Sequence, residues 1–348
     1  MREAPIRLYD LGLDELESYV GGLGEPSYRA QQVWEWLYVH LADSVHQMTN
    51  LPGALRERLV GETTLRLLEV VETARSADGR TRKDLLRLPD GETIEAVLMR
   101  YERRRTACLS TQVGCALGCP FCATGQMGFR RDLSSGEIVA QALHFARCLQ
   151  AEGERLTNVV LMGMGEPLAN YEASLEAIGR LNHPAGFRLG QRHITLSTVG
   201  LVPEIYRLAG EGLQITLAVS LHAATDELRD QLVPVNRRYP LAALFEACAA
   251  YMERTGRRVS FEWALIEGVN DGPEQAHALA DRVEGLLAHI NLIPLNPSPA
   301  YGGRGAGDVA IDSFAAVLEE RGVAYTVRVR RGAAIEAGCG QLRQRGGG

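Results

Sequence analysis

From residue 106 onward, short apolar segments typical of buried strands alternate with longer amphipathic segments typical of helices. This alternation predicts an α/β fold in which βα units surround a parallel sheet. With one further strand before the cysteine-rich loop at residue 115, the strand count is six to seven, which favours a partial barrel over a closed eight-stranded one. The strand-like segments are residues 158–162, 193–197, 214–220, 259–266, 289–295 and 324–329. The helix-like segments include residues 136–150, 171–181, 241–254 and 272–287.

Two segments of different character precede this core. Residues 1–62 follow a helical pattern, in which one helix opens at Ser27. Residues 63–105 contain apolar runs such as 94–98, separated by turns rich in glycine and aspartate. We therefore predict a small helical accessory domain over 1–62, a β-rich connecting segment over 63–105 and the core domain over 106–348.

The composition is that of an ordinary globular protein. Apolar residues make up 46% and charged residues 23% of the 348 residues. The N-terminus lacks the basic and apolar regions of a secretory signal, and no apolar run is long enough to span a membrane, so we expect a cytoplasmic protein. In that reducing compartment, the seven cysteines are expected to be metal ligands, catalytic groups or core residues rather than structural disulfides.

Three of these cysteines, Cys115, Cys119 and Cys122, lie within eight residues in a glycine-containing loop. Three thiolates can bind three irons of a [4Fe-4S] cubane and leave the fourth iron open, whereas a four-cysteine ferredoxin site has no such opening. In S-adenosylmethionine (SAM) chemistry, the methionine part of SAM binds the open iron, and an electron cleaves the sulfonium to a 5′-deoxyadenosyl radical. The alternative is a zinc site, which would need a fourth ligand such as Cys108 or His144.

A second motif, GMGEP at residues 163–167, follows the end of a predicted strand. It lacks the third glycine of a dinucleotide-binding fingerprint, so a Rossmann site is not predicted. At the carboxyl end of a barrel strand, it can instead present backbone groups and the Glu166 carboxylate to the amino group of SAM. Polar residues occupy further predicted strand ends, where barrel active sites collect: Ser197, Ser220, His222 and Asn296.

Seven ordered segments closely resemble the RlmN-type RNA adenine C2-methyltransferases of the radical SAM superfamily. They are CALGCPFCATGQMGFRR (115–131), GMGEP (163–167), LSTVG (196–200), SLHAAT (220–225), LVPVN (232–236), LIPLNP (292–297) and AGCGQL (337–342). The resemblance extends from about residue 28 to residue 342. It implies a partial (β/α)6 radical SAM barrel with an N-terminal helical RNA-binding domain.

The family methylates C2 of one adenosine in 23S rRNA and of the adenosine 3′ of the anticodon in some tRNAs. The resemblance implies the same activity here, with a [4Fe-4S] cluster on Cys115, Cys119 and Cys122 and two SAM molecules per turnover. The implied partners are 23S rRNA, tRNA and an electron donor such as flavodoxin or ferredoxin, and a monomer is expected. The implied SAM contacts are Gly165, Glu166, Ser197, Ser220, Leu221, His222 and Asn296.

The resemblance also implies roles for two further cysteines and one acid. Cys339 matches the cysteine that one SAM methylates; the radical from a second SAM then removes a hydrogen from this methyl group, whose carbon adds to C2. Cys108 matches the thiol that attacks the Cys339 sulfur, forming a transient disulfide that releases the RNA. Glu95 matches the usual acceptor of the C2 proton, with Cys108 as an alternative acceptor. Cys148 and Cys248 lie in helical patterns and are predicted to be core residues.

Two features concern the C-terminal loop and the RNA. Before the C-terminal cysteine the family usually has an acidic segment such as Asp-Ile-Asp, where this chain has Ala-Ala-Ile-Glu at 333–336.

The net charge of −6 argues against indiscriminate nucleic-acid binding, so contact with RNA is expected from local basic runs. Candidate phosphate contacts are Arg100, Arg103, Arg104, Arg105, Arg130, Arg131, Arg328, Arg330 and Arg331.

Two rival functions stay open on the sequence. The related C8-specific 23S rRNA adenine methyltransferases share the barrel, the cluster and both cysteines, although residues 26–32 and 125–129 favour the C2 family. A zinc-stapled RNA-binding protein without enzymatic activity would explain the cysteines differently. It predicts a colourless protein that does not cleave SAM.

Overall fold

The computed structural model of the chain describes residues 4–298, 300–328 and 332–343. Two arginines that are candidate phosphate contacts, Arg330 and Arg331, lie outside these residues. Among the helices of the described ranges, none has the length and apolar character needed to cross a membrane.

The N-terminal segment contains the predicted helices, here α1 (Leu13–Gly22), α2 (Tyr28–Tyr38) and α3 (Gly53–Glu62). Their apolar residues recur at helical spacing, so each helix buries one face. The buried residues include Leu16, Val20, Val33, Trp34, Leu37 and Leu59. The structure adds a parallel pair that the sequence did not predict, β1 (Ile6–Arg7) with β2 (Thr63–Thr64), which joins the two ends of the segment.

Within the described residues, ten strands form one sheet, and two more form a separate ribbon. In chain order the strands after β2 are β3 (Glu69–Arg75), β4 (Thr81–Arg87), β5 (Thr93–Arg100), β6 (Arg105–Cys108), β7 (Gln112–Gly114), β8 (Phe129–Asp132), β9 (Asn158–Leu161), β10 (Ile194–Thr198), β11 (Thr216–Ser220), β12 (Val259–Leu265), β13 (Ala288–Pro294) and β14 (Tyr325–Val327). The sheet order is β14-β13-β12-β11-β10-β9-β6-β5-β4-β3, and β7 pairs only with β8 among the described strands.

Helices connect the parallel strands, as the alternating pattern predicts. They are α4 (Ala123–Gln126), α5 (Ser135–Gln150), α6 (Tyr171–Asn182), α7 (Val202–Gly210), α8 (Asp226–Leu232), α9 (Leu241–Thr255), α10 (Pro273–Val283) and α11 (Asp308–Glu320). The predicted helix over 272–287 ends early, at Val283, and Gly285 then adopts a left-handed φ of 75°. Cys248 on α9 is a core residue as predicted, but Cys148 on α5 is only half-buried and accepts a hydrogen bond from Arg82.

The sheet has a parallel part, from β6 to β14, and an antiparallel part, from β3 to β6. The strands predicted as a connecting segment therefore extend the same sheet as the core. Since β3 and β14 lie at opposite edges, the sheet forms a partial rather than a closed barrel. The hydrophobic pattern of a segment predicts that it forms a strand. Which strands lie beside it depends on pairing between segments from the whole chain.

The register of the sheet places the predicted functional residues on one face. Residues paired across neighbouring strands project from the same side of a sheet, and so do residues two apart in one strand. Val97 pairs with Lys83 on one side and with Cys108 on the other, and Glu95 therefore shares their face. Cys108 in turn pairs with Val160 on β9. The pairings beyond β9 continue this face through Ser197, Ser220 and Glu262.

Candidate active site

A cavity with about 1050 Å³ of open space lies at the carboxyl ends of strands β9 to β13. Strand ends, the cysteine loop and the C-terminal loop together form its wall. It brings together predicted residues that are far apart in sequence: Cys115, Cys119, Cys122, Gly165, Glu166, Ser197, Ser220, His222, Asn296 and Cys339. Three predicted site residues are not part of this wall, namely Leu221, Cys108 and Glu95.

The cysteine loop leaves and re-enters the domain through the ribbon of β7 and β8. At its base, the backbone N–H of Cys115 donates to the carbonyl of Gly128 at 2.9 Å. Gly114 has a φ of 80°, and a Cβ there would lie 1.9 Å from the same carbonyl oxygen. The loop can therefore close only with glycine at position 114.

The three thiols fit a cluster better than a single metal ion. Burial raises the pKa of Cys115 to about 12 and also raises that of Cys119, so a positively charged group is needed to hold them as thiolates. Over the described part of the chain, no three His, Cys, Asp or Glu side chains form a group that could hold one metal ion. Zinc needs such grouping, whereas each cysteine of a cluster binds its own iron. His144, a candidate fourth zinc ligand, instead hydrogen-bonds to Asp84 at 2.7 Å.

The GMGEP segment presents a buried carboxylate to the cavity. Gly165 has a φ of 101°, and a Cβ there would lie 2.6 Å from the Cβ of Gln112. The Glu166 carboxylate accepts hydrogen bonds from the backbone N–H groups of Leu168 at 3.0 Å and Val199 at 2.8 Å. Burial raises the pKa of Glu166 to about 7, although these donors oppose the shift. A cationic amino group beside Glu166 would stabilise its charged form.

His222 is held in one orientation at the end of β11. Its φ is 60°, and its Nδ1 accepts a hydrogen bond from the backbone N–H of Ala264 at 2.9 Å. Burial, with a contribution from Arg229, lowers the pKa of His222 to about 3. The ring is therefore neutral, and its proton is assigned to Nε2 because Nδ1 is the acceptor. The neighbouring Leu221 points into the core and donates only its backbone N–H, to the carbonyl of Glu262.

Asn296 carries an acceptor that no other described residue satisfies. Its Nδ2 donates to the carbonyl of Cys339 at 3.3 Å, while its buried Oδ1 has no hydrogen-bond partner. Buried polar atoms in folded proteins nearly always have a partner. Because Asn296 lines the cavity, a ligand with amino or hydroxyl donors, as SAM has, fits this position.

Cys339 lines the cavity and is an exposed residue there. Its side chain is exposed, yet the surrounding protein raises the pKa of the thiol; the Glu262 carboxylate adds to the shift and Arg328 opposes it. Cys108 is buried, and burial raises the pKa of its thiol, with a further contribution from Cys339. Both are free thiols in this structure.

Glu95 lies beside the cavity rather than in its wall. Its Oε1 forms an ion pair with Lys83 at 2.9 Å, and its Oε2 accepts the backbone N–H of Arg343 at 3.0 Å. Its carbonyl accepts the hydroxyl of Ser110 at 2.7 Å. The predicted acid is thus engaged with the strand beside it and with the C-terminal loop.

Two buried charged residues near the site were not predicted from the sequence. Glu262 on β12 lines the cavity, and its Oε1 accepts from Asn291 at 2.7 Å; burial raises its pKa. Arg229 on α8 is fully buried and donates to the carbonyls of Leu221 and Ser220, which fixes the end of β11. An acid inside an apolar strand was a visible signal for Glu262. Arg229 had no such signal in the sequence, because its partners are carbonyl groups.

The candidate phosphate contacts fall into two groups. One group is already engaged in ion pairs with acidic residues of this chain: Arg100 with Glu152 and Glu154, Arg105 with Glu154, and Arg131 with Asp90 and Glu137. The other group is exposed at the surface: Arg103, Arg104, Arg130 and Arg328. Among the candidates that the structure describes, only the exposed group is ready to bind phosphate without breaking an ion pair.

Two family models match most of the chain. Residues 6–65 match the ribosomal RNA large subunit methyltransferase N-terminal domain, and residues 109–280 match the radical SAM superfamily. The two matches flank the strands β3 to β5 on either side.

Whole-chain relatives agree with these matches. The dual-specificity RNA methyltransferase RlmN 1 of Myxococcus xanthus is 50% identical over 336 residues, which are 97% of this chain and 94% of that protein. A protein of Desulforudis audaxviator named as an RlmN dual-specificity RNA methyltransferase is 54% identical over 311 residues, 89% of this chain and 97% of its own length. The crystal structure of a radical SAM methyltransferase from Sphaerobacter thermophilus superimposes with a TM-score of 0.95 at 50% identity, covering 97% of this chain and 99% of that one. This chain therefore has the radical SAM fold and belongs to the RlmN family of dual-specificity RNA methyltransferases.

Proposed function

We propose that this enzyme methylates C2 of an adenosine in 23S rRNA, and of the adenosine 3′ of the anticodon in some tRNAs, with Cys339 as the methyl carrier. The observation that carries the proposal is the single cavity shared by Cys339, Cys115, Cys119 and Cys122. Cys339 is an exposed residue of this cavity, and its thiol would receive a methyl group there and present it to a base.

The residues of the cavity fit both cofactors. Cys115, Cys119 and Cys122 would hold a [4Fe-4S] cluster, which together with SAM supplies a 5′-deoxyadenosyl radical. Glu166 would accept from the SAM amino group, and the unsatisfied Oδ1 of Asn296 would accept from another donor of SAM. The remaining SAM contacts in the proposal are Gly165, Ser197, Ser220, Leu221 and His222. Two SAM molecules are consumed per turnover, because one supplies the methyl group and the other the radical.

Cys108 would release the methylated RNA from Cys339. Before release, the adduct would lose the C2 proton and return one electron to the electron carrier, which leaves a thioether between Cys339 and C2. The thiolate of Cys108 would then attack the Cys339 sulfur, so that an S–S bond forms and the bond from sulfur to the transferred carbon breaks. The electron pair of the broken bond takes up a proton and completes the methyl group on C2. A thiol reductant must then reopen the disulfide before the next turnover. Glu95 and Cys108 are the two candidates for accepting the C2 proton.

A basic groove on the opposite end of the barrel is proposed to contact the RNA backbone. It has about 1560 Å³ of open space and lies at the amino ends of β6, β9 and β10. Exposed arginines from three segments line it, namely Arg103, Arg104, Arg155 and Arg188. The groove's acid, Glu154, is already paired with Arg100 and Arg105. Phosphates would therefore meet uncompensated positive charge.

The proposed reaction also requires an electron donor and a compartment that contains RNA. Only the SAM molecule that supplies the radical is cleaved reductively; this cleavage consumes one electron, which we propose comes from a flavodoxin or ferredoxin. We further propose that the enzyme acts as a monomer in the cytoplasm, where rRNA and tRNA are found.

Anaerobic reconstitution with iron and sulfide tests the proposal. The absorbance of the wild-type enzyme, Cys119→Ala and the control Cys248→Ala would be compared, since Cys248 is a buried cysteine on α9 outside the cavity wall. After addition of SAM, dithionite and a 23S rRNA fragment, nucleosides would be analysed by mass spectrometry. We expect a brown protein, 5′-deoxyadenosine and 2-methyladenosine from the wild type and the control, and none of these from Cys119→Ala. A purely 8-methyladenosine product, or a colourless zinc protein, would overturn the proposal.

A further inference from the structure

A buried ion pair lies on the antiparallel strands beside the catalytic cavity. The Nζ of Lys83 on β4 and the Oε1 of Glu95 on β5 are 2.9 Å apart, and the two side chains are only 4% and 1% exposed. In the register Lys83 opposes Val97 and Glu95 opposes Leu85, so the pair is diagonal on one face of the sheet. Charges are costly to bury unless hydrogen bonds satisfy them, so the other partners of this pair indicate its role.

Each member of the pair also binds the main chain of the C-terminal loop. The Nζ of Lys83 donates to the carbonyl of Glu336 at 3.0 Å, and the Oε2 of Glu95 accepts the backbone N–H of Arg343 at 3.0 Å. Cys339 lies between these two contacts in the sequence. The ion pair therefore holds the Cys339 loop at both of its ends.

The middle of the loop is held from the cavity side. Asn296 donates to the carbonyl of Cys339 at 3.3 Å, and the backbone N–H of Ala123, next to the cluster cysteines, donates to the carbonyl of Gly340 at 2.8 Å. All these contacts are made to main-chain atoms of the loop. Glu336, the one acid of the segment 333–336, adds an ion pair with Arg343 at 3.2 Å, which joins the two ends of the loop.

We propose that Lys83 and Glu95 form a clamp that positions Cys339 for methyl transfer, with Lys83 as a positioning residue. This inference rests on the proposed role of Cys339 and refines the proposed role of Glu95. The carboxylate of Glu95 binds Lys83 and the loop, and it is not part of the cavity wall. Glu95 therefore acts on the geometry of the loop.

The design of the test follows from the burial of the pair. Removing one partner leaves a buried charge and destabilises the fold, whereas removing both charges together is tolerated far better. Lys83→Met/Glu95→Gln keeps an acceptor for the N–H of Arg343 but removes the donor to the carbonyl of Glu336. The matched control is Arg87→Met/Glu69→Gln, which removes an ion pair of 3.1 Å that also involves β4 but does not touch the loop.

Hydrogen exchange of the loop, measured on the reconstituted enzyme without SAM or RNA, is the first measurement. The clamp predicts that peptides covering 332–343 exchange about tenfold faster in Lys83→Met/Glu95→Gln, since one stabilising hydrogen bond corresponds to roughly that factor. Alkylation of Cys339 by iodoacetamide should accelerate in parallel, while the control double variant behaves as the wild type. Wild-type exchange and alkylation rates in the test variant would overturn the clamp.

Intact-mass measurement of Cys339 after incubation with SAM separates positioning from proton transfer. The clamp predicts less S-methylated Cys339 in Lys83→Met/Glu95→Gln and no accumulation of a covalent protein–RNA adduct. If Glu95 were the acceptor of the C2 proton, methylation would be normal and the adduct would accumulate, which would overturn the clamp. If the wild type carried no methyl group on Cys339, the proposed function would fail, while the exchange experiment would still test the clamp.

Discussion

The side-chain amide of Asn296 donates a hydrogen bond of 3.3 Å to the carbonyl oxygen of Cys339. This contact joins the carboxyl end of the barrel to the C-terminal loop. Gly338 packs directly against it, because a Cβ at that position would lie 2.5 Å from Nδ2 of Asn296 and 2.9 Å from Oε1 of Gln341. The position of the Cys339 sulfur thus depends on the absence of a side chain one residue earlier.

Gly338→Ala should therefore displace the loop and reduce S-methylation of Cys339. We expect at least a tenfold slower methylation, because overpacking of this kind costs about 1–3 kcal/mol. The measurement is the intact mass of the enzyme after timed incubation with SAM. Gly210→Ala is the control, since a Cβ at Gly210 would meet nothing within 4 Å. Equal methylation rates in the two variants would contradict the packing argument.

Cys108→Ala should trap the RNA on Cys339. Without the second thiol, the bond between Cys339 and the transferred carbon persists, so we expect a covalent protein–RNA adduct that resists denaturing electrophoresis. Cys339→Ala should abolish both the adduct and the methylated product. Cys148→Ala serves as the control, because Cys148 is a half-buried thiol outside the cavity. Normal turnover by both Cys108→Ala and Cys339→Ala would disprove the two-cysteine scheme.

His222 should make the stability of the chain depend on pH. Burial lowers the pKa of His222 from 6.5 to about 3, so below pH 6.5 the unfolded state binds a proton that the folded state does not. The contribution of neutral His222 to the free energy of unfolding is complete above pH 6.5. It is lost as the pH falls, by about 2 kcal/mol between pH 7.5 and pH 5.0. Urea unfolding of the chain without its cluster at these two pH values measures the loss.

The control for this pH dependence is His222→Asn. Asparagine tolerates a positive φ, and its Oδ1 can replace Nδ1 as the acceptor of the Ala264 N–H, but it does not titrate. The variant should therefore lose about 2 kcal/mol less stability than the wild type over the same pH interval. An identical pH dependence in both proteins would show that His222 is protonated equally in the folded and unfolded states.

The basic groove predicts a salt-dependent loss of RNA affinity. Arg104→Ala/Arg188→Ala should weaken binding of a 23S rRNA fragment uniformly across sequences. It should also reduce the slope of log Kd against log salt by about 1 for each phosphate contact removed. Arg254→Ala/Arg258→Ala is the charge-matched control, because neither residue lines the groove. An unchanged slope in the groove variant would place the RNA elsewhere on the enzyme.

Much of the architecture follows from local sequence signals. The alternation of strand and helix patterns predicted the partial barrel, because hydrophobic periodicity is a property of a short segment. The spacing of Cys115, Cys119 and Cys122 predicted a cluster loop for the same reason, and polar residues at strand ends predicted the cavity, because parallel strands end at one edge of a sheet. These inferences needed only neighbours in sequence and the resemblance to a family.

The tertiary structure alone decided what surrounds those residues. Lys83 drew no functional prediction, yet it meets Glu95 and the carbonyl of Glu336 once the antiparallel strands join the barrel sheet and the C-terminal loop returns to them. The structural role of Arg229 likewise depends on its hydrogen bonds to backbone carbonyls. Main-chain groups are the same at every position, so no sequence pattern marks which of them a buried side chain will bind. Only the folded chain fixes those partners.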